Sequence, residues 1–174
     1  MGSSDHPLTL LLLGSNIEPR ANMVRAANLL IETFPQARFS RVFETEPVGA
    51  MDAPWFFNAA AAIVTELHPR QLKFQVLRPL EARLGRRRST DRNAPRTIDL
   101  DIAMCGDMVV DDRTVGLEIP DPLILTTAHI AYPLADLAPQ MLHPITRQSL
   151  REIAADLAAG PSVRPVVGMD LGGR

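Results

Sequence analysis

The chain has 174 residues, enough for one sizeable core and short for two, with 46% hydrophobic residues, 22% charged residues and a mean hydropathy of +0.02. A formal net charge of −2 excludes a general attraction for nucleic acid or anionic membrane, and the single cysteine, Cys105, excludes an internal disulfide. No apolar run approaches the roughly 18 residues of a membrane span, and four scattered histidines beside one cysteine offer no zinc spacing. The expectation is a single domain over residues 1–174, cytoplasmic, with residues 1–7 and 160–174 as flexible ends.

In chain order, Leu8 to Leu13 reads as a buried strand ending in Gly14-Ser15-Asn16. Pro19 then opens a helix whose apolar positions are Met23, Ala26, Ala27, Leu30 and Ile31. Arg38 to Thr45 is a second strand, Glu46 to Pro54 a Pro/Gly loop, and Trp55 to Leu67 a third, Ala-rich strand with poor alternation. A second long helix runs from Pro69 through Arg83, with Leu72, Val76, Leu80 and Leu84 along one stripe, and Gly85 stops it. The strand around Asp99 follows, and Gly106-Asp107 turns into a short strand at Met108 to Val110 as a hairpin. A Pro-punctuated stretch leads to a last helix near Ser149 to Ala158. The order predicts an α+β fold, a ferredoxin-like βαββαβ sandwich with an added C-terminal hairpin and helix, both long helices on one sheet face and the other face free for a ligand.

The run Ala94-Pro95-Arg96-Thr97-Ile98-Asp99-Leu100-Asp101-Ile102 carries the most chemistry. Alternation along a strand puts Asp99 and Asp101 on one face, while Ile98, Leu100, Ile102 and Met104 point into the core. Two adjacent carboxylates repel each other, and a hard cation carrying phosphate oxygens relieves that repulsion. Arg83, Arg86, Arg87, Arg88, Arg92 and Arg96 crowd the preceding segment although the chain has only one lysine, Lys73, and such a density of planar, always-charged forks suits a polyanion. A magnesium nucleotide site is the expectation. Gly14-Ser15-Asn16 fits neither phosphate-loop pattern, so its glycine is expected to permit a tight turn. Cys105, four residues past Asp101 and on the same predicted face, reads as packing.

Gly14-Ser15-Asn16, Glu44-Thr45-Glu46-Pro47-Val48-Gly49, Phe56-Phe57-Asn58-Ala59-Ala60 and Pro95-Arg96-Thr97-Ile98-Asp99-Leu100-Asp101, in that order, resemble the motif series of the 6-hydroxymethyl-7,8-dihydropterin pyrophosphokinases. The resemblance implies transfer of pyrophosphate from ATP, the co-substrate, to the hydroxymethyl group of a reduced pterin, releasing AMP, in folate synthesis. It implies two Mg²⁺ ions held by Asp99 and Asp101, with Arg86 and Arg96 as the catalytic pair beside them. ATP contacts are expected from Glu81, Arg86, Arg88, Arg92, Arg96 and Ile102. The pterin contacts are expected from Thr45, Val48, Phe56, Asn58 and His129, with Phe57 as core and Trp55 either stacking or capping its loop. Glu81 is otherwise an exposed helix charge. The implied partners are small molecules, with no nucleic acid and no membrane, for a monomer or weak homodimer.

Beyond Pro120 the chain departs from the family's pattern: Asp121 stands where a histidine is usual, Thr127 where an arginine is, and His129 where a phenylalanine is. Asn93 replaces a common aromatic. Asp121 would bring a negative charge toward ATP unless a metal or an arginine offsets it. These positions leave two readings, a working pyrophosphokinase with rebuilt contacts, and a diverged paralogue that binds a related pterin or nucleotide with altered or no activity. A ferredoxin-like RNA-binding module would need aromatics on the central strands, where this chain has acids.

Overall fold

Strand β1 (Leu8–Ser15) is the axis of the sheet in the computed structural model, which describes residues 7–45, 55–87, 95–157 and 163–172. On one side β1 pairs antiparallel with β4 (Phe56–Val64), and on the other with β5 (Asp99–Cys105). Beyond β4 come β3 (Phe43–Thr45) and β8 (Val163–Pro165), giving the order β5-β1-β4-β3-β8, with β2 (Arg38–Phe39) also paired to β4. The predicted second strand is therefore two pieces. Ser40 breaks it by turning its side chain into the ladder, where its Oγ accepts the Ala60 amide at 2.8 Å.

Helix α1 (Pro19–Thr33) packs one face of the sheet through Met23, Ala26, Ala27 and Leu30. The predicted second helix follows on the same face as three joined segments, α2 (Pro69–Gln71), a π-helical stretch (Leu72–Leu77) and α3 (Arg78–Arg83). The Arg78 amide reaches back five residues to the Lys73 carbonyl. Pro79 has no amide to donate and its ring needs room against the preceding turn, which the wider π turn supplies. Gly85, at φ +76°, closes the helix as expected.

The opposite face is not free. Helices α4 (Ala128–Leu137) and α5 (Leu150–Asp156) cover it, with Ile130, Ala131, Leu134, Leu150 and Ile153 packed on Leu10, Ala60, Ala62, Ala103 and Met104. Burial on both faces explains why β4 shows no alternation: each residue from Phe57 to Ile63 is buried. Helix α4 runs through Pro133, inside the stretch that the sequence presents only as Pro-punctuated. Its apolar stripe outweighs the one rung that proline removes.

Two further expectations change. The strand after Gly106-Asp107 is β6 (Val110–Asp112), and it pairs with β7 (Leu117–Ile119) instead of folding back on β5. Residues 163–172 are not a loose tail, because β8 pairs with β3 and Val166 and Leu171 enter the core. Glycine and proline content hid the apolar anchors.

Candidate active site

Opposed residues of antiparallel strands share a face, so the register assembles the site. Gly14 stands between Asn58 and Asp99, Leu12 between Ala60 and Asp101, and Thr45 opposite Phe56. The two aspartates, Asn58, Thr45 and Phe56 therefore gather at one end of the sheet face that α4 covers farther along. His129 lies in the first turn of α4, partly buried, and burial holds its imidazole pKa below the usual value. Asn58 and Thr45 are both buried, and the Asn58 Nδ2 donates to Thr45 Oγ1 at 3.1 Å.

Gly14 is part of β1 and not of a turn. A Cβ there would stand 3.0 Å from the Phe56 Cε1, so the glycine makes room for the aromatic ring. The next two residues fasten the arginine segment. Ser15 Oγ donates to the Thr97 carbonyl at 2.6 Å, Asn16 Oδ1 accepts the Arg96 amide at 2.7 Å, and the amides of Asn16 and Ile17 both reach the Arg96 carbonyl. Held in this way, Arg96 donates from Nη1 to Asp99 Oδ2 at 2.7 Å while its guanidinium carbon lies 5.6 Å from the centre of the Phe56 ring. The sequence reading missed the role of Asn16.

Arg86 approaches the other oxygen of Asp99, with Nη2 3.8 Å from Oδ1, and its buried Nε has no hydrogen-bond partner among the described residues. Asp101 faces a different cation. Lys73 Nζ lies 3.6 Å from Asp101 Oδ1 and donates to the Gly116 carbonyl at 2.5 Å. The Asp101 side chain is 46% exposed. Loss of hydration, then the Asp99 charge, raises its pKa, with Lys73 opposing and Asp121 adding to the rise. Asp121 sits at the same rim: its amide donates to the Ala103 carbonyl at 2.8 Å, and its Oδ1 accepts the Leu123 amide at 2.8 Å. Burial raises its pKa too.

Among the described residues no three carboxylate, histidine or cysteine side chains converge as a metal cage. Two carboxylates on one strand face, with an unpartnered arginine donor nearby, fit a cation that takes its remaining ligands from phosphate oxygens and water.

Glu81 is not an exposed helix charge. It is 2% exposed, and its Oε1 accepts the Leu100 amide at 2.8 Å, bracing α3 against the strand that carries both aspartates. Phe57 is core on the opposite face, as expected. The face of Trp55 is taken by Arg164, at 4.6 Å from its ring centre. Ile102 is buried in the core beneath the aspartates, so its own side chain faces away from them. A register shift between Leu10 and Leu11 leaves Ala103 as an extra residue of β5. Parity flips there. Met104 consequently joins the α4 side while Ile98, Leu100 and Ile102 stay on the α1 side, and Cys105, bonded by the Thr9 hydroxyl at 3.4 Å, lies on the face away from Asp101. Thr127 precedes α4 without capping it through its side chain. Val48, Arg88, Arg92 and Asn93 lie outside the described residues.

A family model for the 7,8-dihydro-6-hydroxymethylpterin-pyrophosphokinases matches residues 10–139. The chain belongs to this family. The match runs from within β1 to just past α4 and takes in Thr45, Phe56, Asn58, Asp99, Asp101 and His129. Among curated relatives, the 2-amino-4-hydroxy-6-hydroxymethyldihydropteridine pyrophosphokinase of Methylorubrum extorquens is 39% identical over 149 residues, covering 83% of this chain and 90% of that protein. The folic acid synthesis protein fol1 of Pneumocystis carinii is 33% identical over 150 residues, 85% of this chain, which spans only 20% of the fungal protein. Among solved structures, wild-type HPPK-DHPS of Plasmodium falciparum with pteroate matches 90% of this chain and 43% of that one, at a TM-score of 0.64 and 13% identity, a likeness of fold alone.

Proposed function

We propose a residue-level account of the activity that family membership assigns to this chain: ATP-dependent transfer of pyrophosphate to the hydroxymethyl group of 6-hydroxymethyl-7,8-dihydropterin, releasing AMP, in folate biosynthesis. The observation that carries it is the position of Arg96, which joins Asp99 at 2.7 Å to the Phe56 ring at 5.6 Å and so links the acidic end of the site to its aromatic end. On this reading Phe56, Asn58, Thr45 and His129, with Val48 from the family's pattern, bind the flat pterin. Asp99 and Asp101 hold two magnesium ions, which when bound neutralise triphosphate oxygens. Arg86 and Arg96 clamp phosphate oxygens as charge spreads, and Arg88 and Arg92 join them by the family's pattern. Glu81 and Ile102 act on the nucleotide through β5, Glu81 by bracing its backbone.

The balance is simple. The pterin hydroxyl oxygen bonds to the β-phosphorus of ATP, the bond from that phosphorus to the oxygen bridging it to the α-phosphorus breaks, AMP leaves, and the hydroxyl proton passes to water. What the residues supply is alignment of that line and compensation of charge. We read the core as a ferredoxin-like sandwich on the strength of its strand order and uniformly antiparallel pairing. We read the protein as a cytoplasmic monomer or weak homodimer acting on small molecules, not on nucleic acid or membrane. No described helix is long and apolar enough to cross a membrane.

The test is AMP formation from ATP and Mg²⁺ with and without the pterin. Pterin-dependent AMP is the expected result. Pterin binding without AMP would overturn it in favour of a paralogue.

A further inference from the structure

A third carboxylate, Asp121, bears on the proposed cation site from outside the two that would hold the ion. Asp99 is bonded by Arg96, whereas Asp101, two residues along the same strand face, feels the charge of Asp121. The Asp121 amide on the Ala103 carbonyl fixes it beside β5, two residues past Asp101. Nearby Glu118 has its own cation in Arg113, at 3.3 Å. The cation that the fold brings to this part of the rim is Lys73, the chain's single lysine, whose Nζ lies 3.6 Å from Asp101 Oδ1. Its side chain is only 14% exposed, and its Nζ is tied to the Gly116 carbonyl at 2.5 Å, so the charge is fixed in place. A lysine held among partners in this way is not a solvated helix charge.

We propose that Lys73 is a positioning residue of the nucleotide site, a tethered ammonium beside Asp101 that offsets the charge Asp121 adds to the rim, so that a divalent cation and phosphate meet little more negative charge than that of Asp99 and Asp101 themselves. The inference rests on the reading of Asp99 and Asp101 as cation ligands. It makes Lys73, Asp101 and Asp121 one charge-compensated group. Loss of the ammonium leaves an uncompensated carboxylate, which draws cations more tightly and repels triphosphate. Loss of the Asp121 charge does the reverse.

The experiment is a Mn²⁺ titration of the protein carrying α,β-methylene-ATP, with free Mn²⁺ followed by electron paramagnetic resonance. Removing one charge a few ångströms from a bound divalent ion in a partly solvated site shifts affinity by about three- to tenfold. Lys73→Met is expected to tighten Mn²⁺ by that factor and to raise the KM for ATP with little change in kcat. Asp121→Asn weakens Mn²⁺, Lys73→Arg keeps the wild-type value, and Lys73→Met with Asp121→Asn returns toward it. A change below twofold, or a weakening, in Lys73→Met overturns the proposal. If Lys73→Met does not fold, an unchanged Asp121→Asn overturns it instead. Asp99→Asn separates the two layers: it must weaken Mn²⁺ for the underlying site assignment to stand, and a flat response there overturns that assignment and the proposal with it.

Discussion

Replacing Gly14 by alanine tests whether Phe56 is a substrate platform or only packing. The new Cβ would meet the Phe56 Cε1 at 3.0 Å, where ordinary contact begins at 3.4 Å, so the ring must retreat by about 0.4 Å. The backbone imposes no strain of its own, since Gly14 lies in an extended strand. A side chain pushed toward the edge of its rotamer well loses about 0.5–1.5 kcal/mol, while alanine lowers the entropy of the unfolded chain by about 0.4–1 kcal/mol in compensation. Stability should therefore stay within about 1 kcal/mol of wild type. A ring displaced from its stacking position should raise the KM for pterin by about 2- to 10-fold, the same energy read as binding, and the KM for ATP by less. Steady-state AMP release against each substrate, beside a thermal melt, measures both. An unchanged pterin KM with a lowered melting temperature would refute the platform and leave Phe56 as packing.

Glu81→Ala removes a buried acceptor from the Leu100 amide, at 2.8 Å, and should cost about 2–4 kcal/mol in urea unfolding; a loss under 0.5 kcal/mol would show that the brace carries no stability. Arg96→Lys keeps the charge and loses the planar fork, so kcat should fall about 100-fold while the pterin KM moves less than threefold; equal losses in both would mean ground-state binding alone. His143 is buried, accepts the Thr146 amide at Nδ1 and has an unpartnered Nε2, and burial lowers its pKa from the usual value near 6.5. A depressed folded pKa means that the unfolded chain binds the proton first, so stability falls as pH drops below that ordinary value. The variant His143→Asn should lose less stability than wild type between about pH 7.5 and 5.5, and an equal loss would exclude His143 as the source.

The features legible in the sequence were those set by local geometry. The alternation of β5 up to Ile102 placed Asp99 and Asp101 together, the spacing of Phe56 and Asn58 gave them one face, and Gly85 marked a helix end. What escaped depends on contacts distant along the chain. The extra residue Ala103 is defined only against β1, the helix through Pro133 only by the face it covers, and β8 only by the edge of β3. A glutamate and a lysine on a helix look alike whether solvated or buried, so neither the Glu81 brace nor the Lys73 contact with Asp101 could be read from spacing.

The extra residue in β5 also bears on how freely this site can change. Because Ala103 has no partner on β1, its carbonyl is left over, and the Asp121 amide takes it. The loop after Pro120 is thus moored by main chain to main chain, a bond available to any residue with an amide. Position 121 becomes a socket into which a carboxylate, an amide or an imidazole can be exchanged without moving the loop, so the charge at the rim can drift between relatives while the strand carrying Asp99 and Asp101 stays put.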